Sequence, residues 1–166
     1  MAVDFAGPLI TSNNGSKYIL VFMDQFTKWV ELIPTQDQLA TTVVQAFYTN
    51  IICRHGCPEY LLSDRGPQFS GALVDAMCAH FGIKKIFSSA YYPQGDGFAE
   101  RFMRTMNNSL AALSREDPKH WHTYVPGLAF AYNLRACRYQ SVAIRAEHGT
   151  CSCSAGGEKF RDGLLR

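Results

Sequence analysis

Apolar residues run unbroken through Tyr18-Ile19-Leu20-Val21-Phe22-Met23, and the stretch Trp29-Val30-Glu31-Leu32-Ile33 alternates apolar and polar side chains. Both patterns are those of β-strands, the first buried on two faces and the second on one. Asp4 falls near the end of a preceding strand, and Asn13-Asn14-Gly15 supplies a turn, so the first 35 residues predict a three-stranded antiparallel meander. From Leu39 to about Ile52 the period changes. Val43, Val44, Phe47 and Ile51 recur at helical spacing until Gly56 and Pro58 end the helix. Glu59 to Ser63 reads as a strand that delivers Asp64 at its carboxyl end. Leu73 to Phe81 reads as a helix closed by Gly82, and Lys84 to Phe87 as a short strand.

Between Ser88 and Phe98, the residues Pro93, Gly95 and Gly97 predict an irregular, mobile loop. A long helix is expected to begin near Phe98, with Ala99, Met103, Met106, Leu110 and Leu113 as its buried stripe. Glu100 would then project from the first turn, beside a polar face carrying Arg104, Asn107 and Asn108. A last helix, from about Trp121 to Arg135, carries Tyr124, Leu128, Tyr132 and Leu134. Beyond about Arg138 no period of either kind is sustained. The chain therefore divides into a core domain over 1–138 and an aberrant or poorly ordered tail over 139–166. Strands and helices in this order predict an α/β domain with a mixed sheet.

Composition narrows the function. At 166 residues with 47% apolar content, the chain is one domain with material for a real core. Charged residues make up 18% and the net charge is +2, so binding of nucleic acid by bulk positive charge is excluded and any affinity must come from a local patch. No apolar run approaches the roughly 20 residues of a spanning helix, and the N-terminus has no signal-peptide pattern, which gives the expectation of a soluble, intracellular protein with no membrane partner. The six cysteines form neither a paired CxxC set nor a disulfide framework, so free thiols are expected. Cys53 and Cys57 flank His55, but the segment reads better as a helix end with two packed thiols than as a metal site.

Three carboxylates stand in informative surroundings. Asp4 lies in Val3-Asp4-Phe5-Ala6-Gly7-Pro8-Leu9, and Asp64 in Tyr60-Leu61-Leu62-Ser63-Asp64-Arg65-Gly66-Pro67-Gln68-Phe69. Glu100 lies in Tyr91-Tyr92-Pro93-Gln94-Gly95-Asp96-Gly97-Phe98-Ala99-Glu100-Arg101. With 35 residues between Asp64 and Glu100, spacing alone is weak, because 14 acids offer many such pairs. Each acid alone also has an ordinary reading: a solvated terminal residue, a turn former, a helix-start acid. Taken with their flanking residues, the three segments resemble the catalytic core of retroviral and LTR-retrotransposon integrases, most closely the gypsy type. That resemblance implies a ribonuclease-H-like fold with a five-stranded mixed sheet flanked by helices.

The resemblance also implies the chemistry. Asp4, Asp64 and Glu100 would hold two Mg²⁺ or Mn²⁺ ions, Asp4 bridging both, Asp64 completing one site and Glu100 the other. Two such ions polarise a phosphodiester and stabilise the departing oxygen in an in-line displacement. The implied activity is metal-dependent polynucleotidyl transfer, with DNA 3′-end processing followed by strand transfer. Arg101 and Arg104 are the preferred phosphate contacts, ahead of Lys84 and Lys85, which usually form a solvated strand edge. Tyr91, Tyr92 and Gln94 are placed to stack on or hydrogen-bond to a DNA end, and Asn107 shares the polar helix face. Tyr92 stands where the family usually has histidine, and Phe98 where it usually has a polar residue. Both changes bear on substrate grip rather than on the metal ligands.

The resemblance covers residues 1 to about 138. Complete integrases add a zinc-binding and a DNA-binding domain, so the isolated chain is expected not to perform concerted integration. The usual Ser-Pro-Phe-Glu continuation is lacking after Arg138, as a shifted reading frame or an altered exon would produce. Implied partners are DNA ends, target DNA and further copies of the chain in a dimer or higher multimer, acting in the nucleus if the host is eukaryotic. Two other readings stay open: a decayed or domesticated fragment that only binds nucleic acid or protein, and a ribonuclease-H-type hydrolase.

Overall fold

The computed structural model describes residues 1–87 and 93–148, with side chains for 1–87 and 101–135. Five strands, β1 (Ala2–Ala6), β2 (Tyr18–Met23), β3 (Val30–Thr35), β4 (Tyr60–Ser63) and β5 (Lys84–Phe87), form one sheet in the order β3-β2-β1-β4-β5. The β1-β2 and β2-β3 pairs are antiparallel, whereas β4 lies parallel to both β1 and β5. The meander closes through Asp24, whose carboxylate accepts hydrogen bonds from the Thr27 amide and hydroxyl, with Lys28 at a φ of 63°.

Strand alternation divides the core in two. Leu20 and Phe22 of β2 face a cluster built with Val3, Leu61, Phe69 and the helices α1 (Ala40–Phe47) and α3 (Ala72–His80). Ile19, Val21 and Met23 face the opposite way, against α4 (Pro93–Leu113) and α5 (Trp121–His148). Because β2 is covered on both sides it carries apolar residues at every position, which explains its unbroken run. After α1 the chain widens into a π-helical segment over Tyr48–Ile52 and finishes in the short helix α2 (Cys53–His55). Gly56 ends it at a φ of 88°, a conformation that costs glycine little.

Several helix expectations need correction. The stretch expected to be irregular from Ser88 to Phe98 is helical from Pro93 onward, while residues 88–92 lie outside the described ones. Proline is tolerated in the first turn because its missing N–H has no partner there anyway, and packing further along the helix outweighs Gly95 and Gly97. Gln94 therefore belongs to α4, not to a loop, and Glu100 is the eighth residue of the helix rather than part of its first turn. The helix-dipole argument for Glu100 falls away with that, since the effect is confined to the first turn.

The buried stripe of α4 is Phe102, Met106 and Leu110, with Met103 partly covered and Leu113 exposed. Among the described side chains of α5 the buried positions are Trp121, Val125 and Asn133, while Tyr124 and Leu134 are exposed. The backbone of α5 continues to His148, beyond the expected end near Arg135. Asn133 donates to the Val30 carbonyl and accepts from the Val30 amide, both at 2.9 Å, and so fastens α5 to the sheet edge. The Phe102 and Tyr132 rings meet edge to face at 4.5 Å, which joins α4 to α5. Cys53, Cys57 and Cys78 are free thiols. Among the described residues, no helix is long and apolar enough to cross a membrane.

Candidate catalytic carboxylate site

Val3 packs into the core on the α1/α3 side of the sheet, with Phe5 against it, and Ala6 belongs to the α4/α5 side. Side chains alternate along a strand, so Asp4 faces the α4/α5 side. On β4, Leu61 packs toward α1 and α3, which turns Leu62 toward the same side as Asp4, and Asp64 follows just past the strand end. The parallel register pairs Ala2 with Leu62. Asp4 and Asp64 each follow that pair by two residues, Asp4 within β1 and Asp64 just past the end of β4. Both acids are exposed.

Local hydrogen bonds orient them. The Phe5 amide donates to Asp4 Oδ1 at 2.7 Å, and the Gly66 amide donates to Asp64 Oδ1 at 2.9 Å. Below the Asp64 turn, Phe69 is buried and stacks on Phe5 at 5.6 Å, so the turn rests on the strand that carries Asp4.

The α4 layer supplies the third segment. A small crevice is lined by Ala2, Val3, Asp4, Val21, Met23, Phe102 and Met103, so α4 crosses the sheet directly over Asp4. Glu100 precedes Phe102 by two residues, roughly 3 Å of helix rise, and precedes Met103 by three, which sets it on the Met103 side of the helix. Its side chain lies outside the described residues, as do those of Tyr91, Tyr92 and Gln94. Among the described residues, no three His, Cys, Asp or Glu side chains form a metal-sized group, Cys53, His55 and Cys57 included.

Arg101 and Arg104 are exposed on α4 next to Glu100. Asn107 is also exposed but lines a different pocket, with Leu9, Ile10, Leu110 and Trp121, about 10 Å along the helix from Glu100. Phe102, which brings α4 onto Asp4, was missed by the sequence reading. The Phe102, Met106, Leu110 spacing of four was its available signal.

A mixed five-stranded sheet in this order, flanked by helices on both faces and carrying one acid within β1 and another just past the end of the neighbouring parallel strand β4, defines a ribonuclease-H-like domain of the retroviral integrase catalytic type. The integrase core domain family matches residues 2–93, and the chain belongs to that family. It is 38% identical over 113 residues to the Gag-Pol polyprotein of Koala retrovirus, a match covering 68% of this chain and 7% of that protein. It is 28% identical over 154 residues to the retrovirus-related Pol polyprotein from transposon 412 of Drosophila melanogaster, covering 89% of this chain and 12% of the relative. The chain thus spans about a tenth of the length of these relatives. Among solved structures, the catalytic core of HTLV-2 integrase, determined with magnesium in a trimeric form, is similar at a TM-score of 0.62 and 18% identity. That likeness covers 78% of this chain and 80% of that one.

Proposed function

We propose that this chain is the catalytic core of a gypsy-type LTR-retroelement integrase, a metal-dependent polynucleotidyl transferase that processes DNA 3′ ends and joins them to target DNA. What supports the reading is that Asp4 and Asp64 each follow the Ala2–Leu62 pair of the parallel strands by two residues and are both exposed, while α4, which carries Glu100, lines a crevice with Asp4. Carboxylates from three directions suit hard cations, and magnesium needs few protein oxygens because water and substrate phosphate complete its octahedron. Asp4, Asp64 and Glu100 would hold two Mg²⁺ or Mn²⁺ ions. Bound there, such ions supply Lewis-acid activation of a phosphodiester and charge stabilisation of the leaving oxygen.

The protein's own contribution is orientation. The Phe5 and Gly66 amides each occupy one carboxylate oxygen, which fixes the aspartates before substrate arrives. Phe102, Met106 and Leu110 hold α4 against the sheet, so Glu100 is carried on an anchored helix. Arg101 and Arg104, beside Glu100 and exposed, are the first candidates to grip the substrate backbone. Tyr91, Tyr92, Gln94 and Asn107 are further proposed contacts with DNA. Partners follow from the same reading: DNA ends, target DNA and further copies of the chain, as the trimeric HTLV-2 core suggests. Action would be nuclear in a eukaryotic host.

Incubating labelled duplex DNA with the chain and Mn²⁺ or Mg²⁺ tests the reading. Metal-dependent nicking that disappears with Glu100→Gln and Asp64→Asn is expected. Equal background cleavage in all three proteins would leave a binding fragment and remove the enzyme.

A further inference from the structure

Arg65 directly follows Asp64, and its guanidinium carbon lies 5.9 Å from the centre of the Phe87 ring at the end of β5. We propose, building on the integrase reading, that Arg65 seated on Phe87 is a phosphate clamp that positions the nucleic-acid strand at Asp64. Three features converge on it.

The turn carrying Arg65 is fixed. The Gly66 carbonyl accepts from the Phe69 and Ser70 amides and the Ser70 hydroxyl, each at 3.0 Å. Gln68 folds so closely over Gly66 that a Cβ there would stand 2.3 Å from its amide nitrogen. Phe69 plugs the turn into the core. Arg65 therefore springs from a backbone held on both sides.

Phe87 is a prepared seat. It remains 38% exposed although it ends a strand paired with Ser63, which puts its ring beside the Asp64 turn. Lys85 Nζ also lies 4.8 Å from that ring, but Lys85 is bound to Asp75 at 2.6 Å and its charge is answered. No carboxylate forms an ion pair with Arg65 among the described residues.

Guanidinium chemistry supplies the function. A guanidinium over an aromatic ring is held by its flat face, while its N–H donors point outward in the plane and match two phosphate oxygens as a fork. This fork stands on the residue next to Asp64, so a phosphate beside the reacting one falls within its reach.

The test measures binding of a fluorescein-labelled duplex by the full chain at several salt concentrations, alongside Mn²⁺-dependent nicking. Arg65→Ala should weaken binding about tenfold and reduce the slope of log affinity against log salt by about one, as loss of one phosphate contact requires. Lys119→Ala, which removes the same charge elsewhere, should change both far less. Arg65→Lys should restore the slope but only part of the nicking rate, because an ammonium lacks the fork. Phe87→Leu should raise KM while leaving the melting temperature near that of the parent. A protein that binds and nicks DNA normally after Arg65→Ala overturns this inference and spares the integrase reading. A parent chain that neither binds nor nicks DNA overturns both.

Discussion

Asn133→Ala removes a side chain that holds α5 to the edge of the sheet by paired hydrogen bonds. Val30 is fully buried, and its amide and carbonyl each meet the Asn133 carboxamide at 2.9 Å. Alanine leaves both backbone groups without a partner and without access to water. An unmade hydrogen bond to a buried group costs about 1–3 kcal/mol, and partial relaxation of two such groups gives roughly 2–4 kcal/mol in all. For a domain of this size that lowers Tm by roughly 5–15 °C. Urea unfolding followed by circular dichroism reads the free energy, and hydrogen exchange at the Val30 amide reads the local event. Asn133→Leu, which keeps volume but not polarity, should be no better than alanine. A loss below about 0.5 kcal/mol, with Val30 exchange unchanged, would refute the clamp. The consequence reaches the site, because α5 supports α4 through Tyr132 and Phe102.

Other expectations concern packing, acid stability and thiol chemistry. Met106→Ala opens a cavity under α4 and should cost about 2–5 kcal/mol by urea unfolding; a cost under 1 kcal/mol would mean that α4 is not anchored there. Burial pushes the Asp24 carboxyl up, but the Thr27 hydroxyl and amide and the Phe26 amide outweigh it and hold the carboxyl below its usual value. Its stabilising contribution is then complete above pH about 4 and lost as pH falls through the lower folded value. Asp24→Asn should therefore lose less stability than the parent over that acid range, and identical acid-unfolding curves would contradict this. Burial raises the Cys78 thiol above its ordinary value, so peptide mapping after brief alkylation should find Cys53 and Cys57 modified and Cys78 intact until unfolding.

How far the sequence revealed this arrangement depends on the range of the interactions. The meander, the strand leading to Asp64 and the α3-β5 succession could be read because each rests on local period and on turn residues such as Gly82. The start of α4 was misread because Pro93, Gly95 and Gly97 argue locally against a helix, whereas tertiary packing of Phe102 and Met106 decides it. No local pattern marks Asn133, because only the approach of α5 to β3 gives its amide a strand edge to complete. The Asp64 segment drew notice for its acid. That Arg65 has a ring to rest on depends on β5 lying parallel beside β4, which no spacing in the chain declares.

Titrating Mn²⁺ into the full chain, with the free ion counted by electron paramagnetic resonance, tests the shared carboxylate site most directly. The parent should bind the ion, and Asp4→Asn, Asp64→Asn and Glu100→Gln should each weaken binding at least about tenfold without altering the fold by circular dichroism, since each removes a charge from the proposed site. Binding left unchanged by all three substitutions would contradict the account.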